Sequence, residues 1–527
     1  MAPRIAPSLA LLLCCRPADK APGDGLLDSA PPEDSAAPAP ETCEDLDVVE
    51  VAVWRQEDLP LRADLRHTMQ GVGLGDLDGD GWLDALVAWG GGSFGLRNDG
   101  AGNLVLDDTI TGETGPLPAA IAVALADLDG DGDLDGILGG WNGDASLLLN
   151  DGTGRFALSL IPETAIDIFS VAFGDADADG DLDVFLSAAS DSMTFDGISS
   201  GEQVGDPNLF LRQEAPLQFV VDRDALPADT LYGMTLHTAF VDADLDGDLD
   251  LYVGNDAGPY IDPNLLLKND GTGHFTRDVD CGCELEMLTM GVAVGDANQD
   301  GLPDLYITDV GSPALLINRE GAKFYDATLT TGAEIPAAEH QMVSWGTGFL
   351  DIDGDRDQDL IVTFGQSGQN FDSAGTEGVD GEYQPDQILL SDGAGRFSRA
   401  AVPGFQDGSR TRAFAAGDID RDGRPDLVTV GKYFVRQWRT VGGCPPGATL
   451  RLFGENLVGA QLDATIGGVS QRQWFLPSTA ASSNADELYL GFGGYPSAES
   501  VSLRAPDGSE VTLPPLLPGA RVDVTLP

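Results

Sequence analysis

The chain has 527 residues, a formal net charge of −59, 42% hydrophobic residues and 68 glycines. A surface this acidic repels nucleic acid and anionic membranes, which removes both from the expected partners. The length allows several domains around a large core, and the glycine content points to many tight turns.

Residues 1–15 read as an export signal: Arg4, the apolar run from Leu9 to Leu13, then Cys14 and Cys15. The run is too short to cross a bilayer as a mature helix. A short apolar stretch ending in cysteine resembles a bacterial lipoprotein signal, with Cys14 or Cys15 lipidated and plain secretion as the alternative. Residues 16–45 are rich in Pro, Ala, Asp and Ser and are expected to form a disordered linker. The protein is therefore expected outside the cytoplasm, on the outer membrane or cell surface, touching a membrane only through an N-terminal lipid anchor.

Val48 to Trp54 is an alternating apolar segment that belongs to no repeat. Beyond it the chain writes Asp-x-Asp-x-Asp-Gly-x-x-Asp, or a near copy, seven times. Carboxylates at loop positions 1, 3, 5 and 9 are candidate ligands for a hard cation, and glycine at position 6 permits a sharp turn. Loop one offers Asp76, Asp78, Asp80 and Asp84; loop two, Asp127, Asp129, Asp131 and Asp135; loop three, Asp175, Asp177, Asp179 and Asp183. Loop four offers Asp242, Asp244, Asp246 and Asp250; loop five, Asp296, Asn298, Asp300 and Asp304. Loop six offers Asp351, Asp353, Asp355 and Asp359; loop seven, Asp418, Asp420, Asp422 and Asp426. All-oxygen donors favour calcium, up to seven ions, with magnesium as runner-up. Asn298 drops one charge, and Arg356 stands where loop six should have glycine. Loop six is thus expected to bind weakly or to use Arg356 as a partial substitute for the ion.

Loop starts are 51, 48, 67, 54, 55 and 67 residues apart, a spacing typical of propellers and solenoids. A short strand rich in Gly and Ala precedes each loop and a β-rich run follows it, as in Leu251-Tyr252-Val253. A third run ends in Asn-Asp-Gly, a hairpin turn, at Asn150 and Asn269, and a fourth follows at Phe156 and Phe275. Four strands per repeat make one antiparallel blade, so the expected fold is all-β: a seven-bladed β-propeller over residues 46–442. The last repeat lacks an outer strand, and Val48 to Trp54 would supply it. That antiparallel closure brings Cys43 beside Cys444 and predicts a disulfide between them. Cys281 and Cys283 are expected to pair across one glycine.

Motifs such as Met290-Gly291-Val292-Ala293-Val294-Gly295-Asp296 resemble the FG-GAP or VCBS repeats of integrin α-type propellers, in the bacterial relatives of cartilage acidic protein 1. That resemblance implies a backbone carbonyl at loop position 7 as a further ligand. Gly467-Gly468-Val469, Leu488-Tyr489-Leu490-Gly491 and Val501-Ser502-Leu503-Arg504 resemble the ASPIC/UnbV domain that follows the propeller there, although Ala505 replaces an expected aromatic. Residues 443–527 themselves show short strands split by Gly and Pro, a small β-sandwich-like domain.

No nucleophile elbow, zinc-protease helix or phosphate loop is present, and no catalytic residue or organic cofactor site is assigned. The chain has four histidines, and His237 and His340, with Met234, Met342 and Trp345, are candidates for a site at the channel mouth. Insertions at 190–207, 256–263 and 366–385, carrying Phe195, Tyr260, Phe371 and Tyr383, fall on the face opposite the acidic loops and are candidate binding loops. The expected function is a calcium-stabilised, non-enzymatic module that binds or adheres to a surface protein or glycan. The alternative is an enzyme, or its accessory subunit, working on polysaccharide at the propeller mouth.

Overall fold

The computed structural model describes residues 43–55, 59, 70–112, 115–141, 143–190, 197, 200, 204–319, 321–335, 342–365, 384–408, 410–454, 457–479 and 481–526. The expected signal and most of the linker, His67, His340, Phe195, Phe371 and Tyr383 lie outside them.

The chain is all-β. Repeat four shows the plan: Thr235–Val241, Asp250–Asn255, Leu265–Asn269 and Phe275–Arg277 pair antiparallel in sequence order. Among the described residues seven such sheets follow one another. Their first strands are Gly71–Gly75, Ala122–Ala126, Asp167–Gly174, Thr235–Val241, Thr289–Gly295, Ser344–Leu350 and Thr411–Gly417. Each contacts the next, and the last contacts the first, so the ring closes as in a β-propeller. Glycine and alanine in these strands let neighbouring sheets approach. A Cβ on Gly174 would lie 2.7 Å from the Phe240 ring of the next sheet.

The last sheet is completed from the front. Asp47–Arg55 pairs antiparallel with Phe434–Val441, from Asp47 opposite Val441 to Arg55 opposite Phe434. Cys43 and Cys444 are bonded, as are Cys281 and Cys283. Strand pairing removes two open edges, and the first crosslink ties residues separated by 401 positions.

After the ring, two sheets pack face to face. One is Glu487–Leu490, Ala448–Phe453 and Arg521–Thr525; the other is Val469–Trp474, Gln461–Ile466, Ser500–Arg504 and Glu510–Leu513. Leu450, Leu462, Phe492, Val501 and Leu503 fill the space between them. No helix among the described residues is long and apolar enough to cross a membrane.

Candidate metal centres and the filled axis

Every acidic loop joins the first strand of a sheet to the second, and one hydrogen-bond scheme recurs in all seven. The position 6 amide donates to the position 1 carboxylate, from 2.8 Å for Gly81 to Asp76 to 3.2 Å for Gly423 to Asp418. The position 7 amide donates to the position 5 carboxylate, from 2.8 Å for Trp82 to Asp80 to 3.2 Å for Asp357 to Asp355. The position 9 carboxylate accepts the amide that ends the third strand, from 2.8 Å for Asn98 to Asp84 to 3.0 Å for Thr440 to Asp426. Backbone donors thus aim the carboxylates inward.

The donor set fits a hard divalent cation. Loops one, two, three, four and six each bring three carboxylates within 4.8 Å of one another. Asp84 Oδ2, Asp250 Oδ2, Asp426 Oδ2, Asp76 Oδ1, Asp177 Oδ1 and Asp244 Oδ1 are buried with no hydrogen-bond partner. A cation held by positions 1, 3, 5 and 9 would satisfy them and neutralise the cluster. Burial first, and neighbouring carboxylates second, push Asp84, Asp135 and Asp183 up to about 7 and Asp250 and Asp304 up to about 8, against local backbone hydrogen bonds that lower them. Burial likewise holds Asp351 and Asp359 well above the carboxylate range.

The turn needs left-handed backbone at two positions, of which the sequence motif shows one. Position 6 is at φ 88° in Gly81 and 91° in Arg356. Position 4 is also left-handed: glycine in loops one, two and six, but Ala178 (57°), Leu245 (58°), Gln299 (57°) and Arg421 (59°) elsewhere. Each such non-glycine residue costs roughly 1–2 kcal/mol. Arg356 forms no ion pair with the loop-six carboxylates among the described residues; its guanidinium donates to Ile466 O at 3.0 Å and to Asp355 O at 3.1 Å and stacks on Tyr495, while its charge acts on Asp355. Asn298 keeps position 3 polar, its Oδ1 accepting Asp300 N at 3.0 Å.

The loops divide by what stands just before the amide that binds position 9. Arg97, Arg212, Lys268 and Arg439 occupy that register in loops one, three, four and seven. Each forms an ion pair with its position 3 carboxylate: Asp78, Asp177, Asp244 and, at 2.5 Å, Asp420. Loops two, five and six have Leu149, Ile317 and Leu390 instead. Loops two, three, four and six all carry a fifth aspartate at position 7, Asp133, Asp181, Asp248 and Asp357, and no ion pair to the five aspartates of loops two and six is found among the described residues.

A second device also escapes motif reading. The Asn of the Asn-Asp-Gly turns does more than favour the turn: Asn98 Nδ2 donates to Ile419 O at 3.0 Å, Asn150 to Leu77 O at 2.9 Å and Asn269 to Ala176 O at 2.7 Å, and Asn318, at the same register before Arg319, donates to Ala243 O at 2.8 Å. Each acceptor is position 2 of the preceding repeat's acidic loop, and Gln213 reaches Leu128 O in the same way at 3.2 Å. Each of these loops is thereby tied to the next sheet. The only sequence signal was side chains with an amide at one register.

The C-terminal sheets lie on the acidic-loop face. Thr449 Oγ1 donates to Asp418 Oδ2 at 2.8 Å and Arg521 pairs with it at 3.2 Å. Arg472 donates to Gly301 O at 3.0 Å, Gly493 N to Gly354 O at 2.8 Å, and Gly447 N to Gly423 O at 2.9 Å. From this domain two short strands, Ser478–Thr479 and Ser482–Ser483, enter the axis of the ring. They touch all seven first strands. Ser478 Oγ donates to Val171 O at 2.9 Å, Thr479 Oγ1 to Phe414 O at 3.0 Å, and Val72 N to Ser482 Oγ at 3.0 Å. A Cβ on Gly71 would lie 1.8 Å from Ala481 O, so only glycine lets the hairpin tip sit there.

The expected channel-mouth site is therefore filled. Ala481 packs with Phe169, Met234, Met290 and Trp345, while Met342 belongs to a separate core between repeats five and six. His237 is fully buried, and its Nδ1 accepts Val292 N at 2.9 Å. Burial lowers it to about 4, so it is a neutral core histidine. Of the expected binding loops, 256–263 is described in full and holds Tyr260 42% exposed at the end away from the acidic loops.

Comparison with known proteins places the acidic loops in a family pattern. A model of the FG-GAP-like repeat matches residues 76–138, 127–186, 242–307 and 351–429. The chain thus contains FG-GAP-like repeats, each match taking in at least one acidic loop, within an all-β ring. No curated protein matches the chain. Among solved structures, an Agrocybe aegerita lectin that recognises non-reducing terminal N-acetylglucosamine aligns at 17% identity and TM-score 0.39, over 73% of this chain and 88% of that one. BBS1N, solved in complex with ARL6DN, aligns at 10% identity and TM-score 0.44, over 75% and 97%. The V. cholerae biofilm matrix protein Bap1 aligns at 13% identity and TM-score 0.35, over 90% and 76%.

Proposed function

We propose that the chain is an exported, calcium-binding β-propeller of seven blades that acts as a cell-surface binding or adhesion module for a protein or glycan. The observation that carries this reading is the occupation of one face and the axis by the chain's own C-terminal domain. The acidic loops then serve as structural pins beneath that domain, and the free working surface is the opposite face. There the second-to-third strand connection 256–263, with Tyr260, stands on a rigid base. Export is supported by two disulfides and by the signal-like run of Arg4, Leu9 to Leu13 and Cys14-Cys15. The reading is non-enzymatic: the axis is filled and His237 is sealed in core, so neither supplies an accessible acid–base group.

The test is a glycan and surface-protein binding screen with the full chain, with and without calcium. Saturable binding that weakens when 256–263 is shortened, in a variant that melts like the parent, supports the module. Turnover of a polysaccharide instead would support the enzymatic alternative.

A further inference from the structure

We propose that the cleft between loops one and two and the C-terminal domain is a binding site for a small organic cation, an ammonium group carried on an apolar body. The cleft holds about 550 Å³ and is bounded by ring and C-terminal residues together. That volume is in the range of small-molecule sites, and junctions between domains are where such sites occur.

One part of its lining is apolar. Leu125, Leu134 and Leu182 come from the ring, and Leu457 and Phe475 from the C-terminal domain. Another part is anionic in an unusual way. Asp486 lines the cleft, and among the described residues its carboxylate has neither a hydrogen bond nor an ion pair; burial and the like charges of Glu487 and Asp127 act on it. Asp76, Asp80, Asp127 and Asp133 also line the cleft but belong to the cation-binding loops one and two, whereas Asp486 belongs to no acidic loop. The one guanidinium in the lining is committed: Arg451 Nε donates to Asp523 at 2.8 Å and Nη1 lies 3.7 Å from Asp76. Glu487 is likewise held by Arg521, at 2.5 Å.

A carboxylate outside the acidic loops and without an ion pair, Asp486, beside leucine and phenylalanine side chains defines the ligand's chemistry. An anion meets Asp486 with repulsion. A bare metal ion gains nothing from Leu182, Leu457 and Phe475. A cation with an apolar body satisfies both parts at once, because burial of its apolar body excludes water from the charge pair and strengthens it.

The experiment is calorimetric titration of the calcium-loaded full chain with 4-phenylbutylamine and with 4-phenylbutyrate, which share the apolar body and differ in charge. The amine is expected to bind and the carboxylate is not. Asp486→Asn preserves shape and removes an unpartnered charge, so it should melt no lower than the parent while weakening the amine at least tenfold. Leu457→Trp, which fills the cleft, should abolish binding of the amine. Equal binding of the two probes, no binding of the amine up to millimolar concentration, or an unchanged amine affinity in Asp486→Asn would each overturn the site.

Discussion

Loops two and four share a backbone scheme and differ in who neutralises it. In loop four Lys268 reaches across from the third strand to Asp244. In loop two the same register holds Leu149, and five aspartates from Asp127 to Asp135 have no ion pair among the described residues. Two unit charges about 4 Å apart repel by about 4 kcal/mol at an effective dielectric near 20. Loop four carries its own partial counter-charge, whereas loop two depends on a cation from solution. The difference lies one residue before the third-strand turn, outside the acidic motif, so identical motifs need not bind an ion equally. By this criterion loop six, with Leu390 in that register, joins loop two as a strong site despite its missing glycine.

The largest effect that would sharpen this contrast comes from position 9. Asp135→Ala removes a ligand and leaves the buried amides of Asn150 and Leu128 without their acceptor. A loss of about 3 kcal/mol is expected by denaturant unfolding in calcium. Asp250→Ala should lose a similar amount in calcium but less than Asp135→Ala in dependence on the ion. A larger loss of calcium response for Asp250→Ala would break the distinction.

The metal-free chain should show the cost of the clusters as pH changes. Asp135 stands near 7 and Asp250 near 8 in the folded chain against an ordinary value of 3.8, chiefly through burial. The folded state therefore holds more protons than the unfolded one, and stability falls as pH rises from about 4 to about 8. Melting in chelator should give a higher Tm at pH 5 than at pH 8. With calcium present the trend should flatten or reverse, since protons compete with the ion.

Backbone strain gives a smaller contrast of opposite sign. Leu245→Gly in loop four relieves φ 58° and should stabilise by about 1 kcal/mol, while Gly130→Leu in loop two, at φ 76°, should cost about as much. Smallest is the exchange of the third-strand residue itself. Leu149→Lys should raise the metal-free Tm and weaken calcium at loop two, and Lys268→Leu should do the reverse at loop four, each by about 0.5 kcal/mol.

Much of the ring was legible because its signals are local and repeated. The acidic loops, the Gly/Ala strands and the Asn-Asp-Gly turns announce one unit again and again, and the orphan strand at Val48 with Cys43 points to its closure. The filled axis was not legible. The hairpin from Ser478 to Ser483 is short and made of small polar residues, and its contact from Ser482 to Val72 spans 410 positions. Nothing in its own composition names that partner, and only Gly71, read with the structure, shows the fit. The left-handed position 4 was hidden for another reason: four of the seven loops place a side chain there and accept the strain.

The central claim is that oxygen-lined loops pin the ring by holding cations. Scanning calorimetry of the full chain at pH 8, in millimolar calcium and then in excess chelator, tests it directly. Linkage at several sites, each contributing about 2.7 kcal/mol at a hundredfold excess over its Kd, predicts a Tm higher by more than about 10 °C in calcium. The same Tm in both conditions would contradict the account.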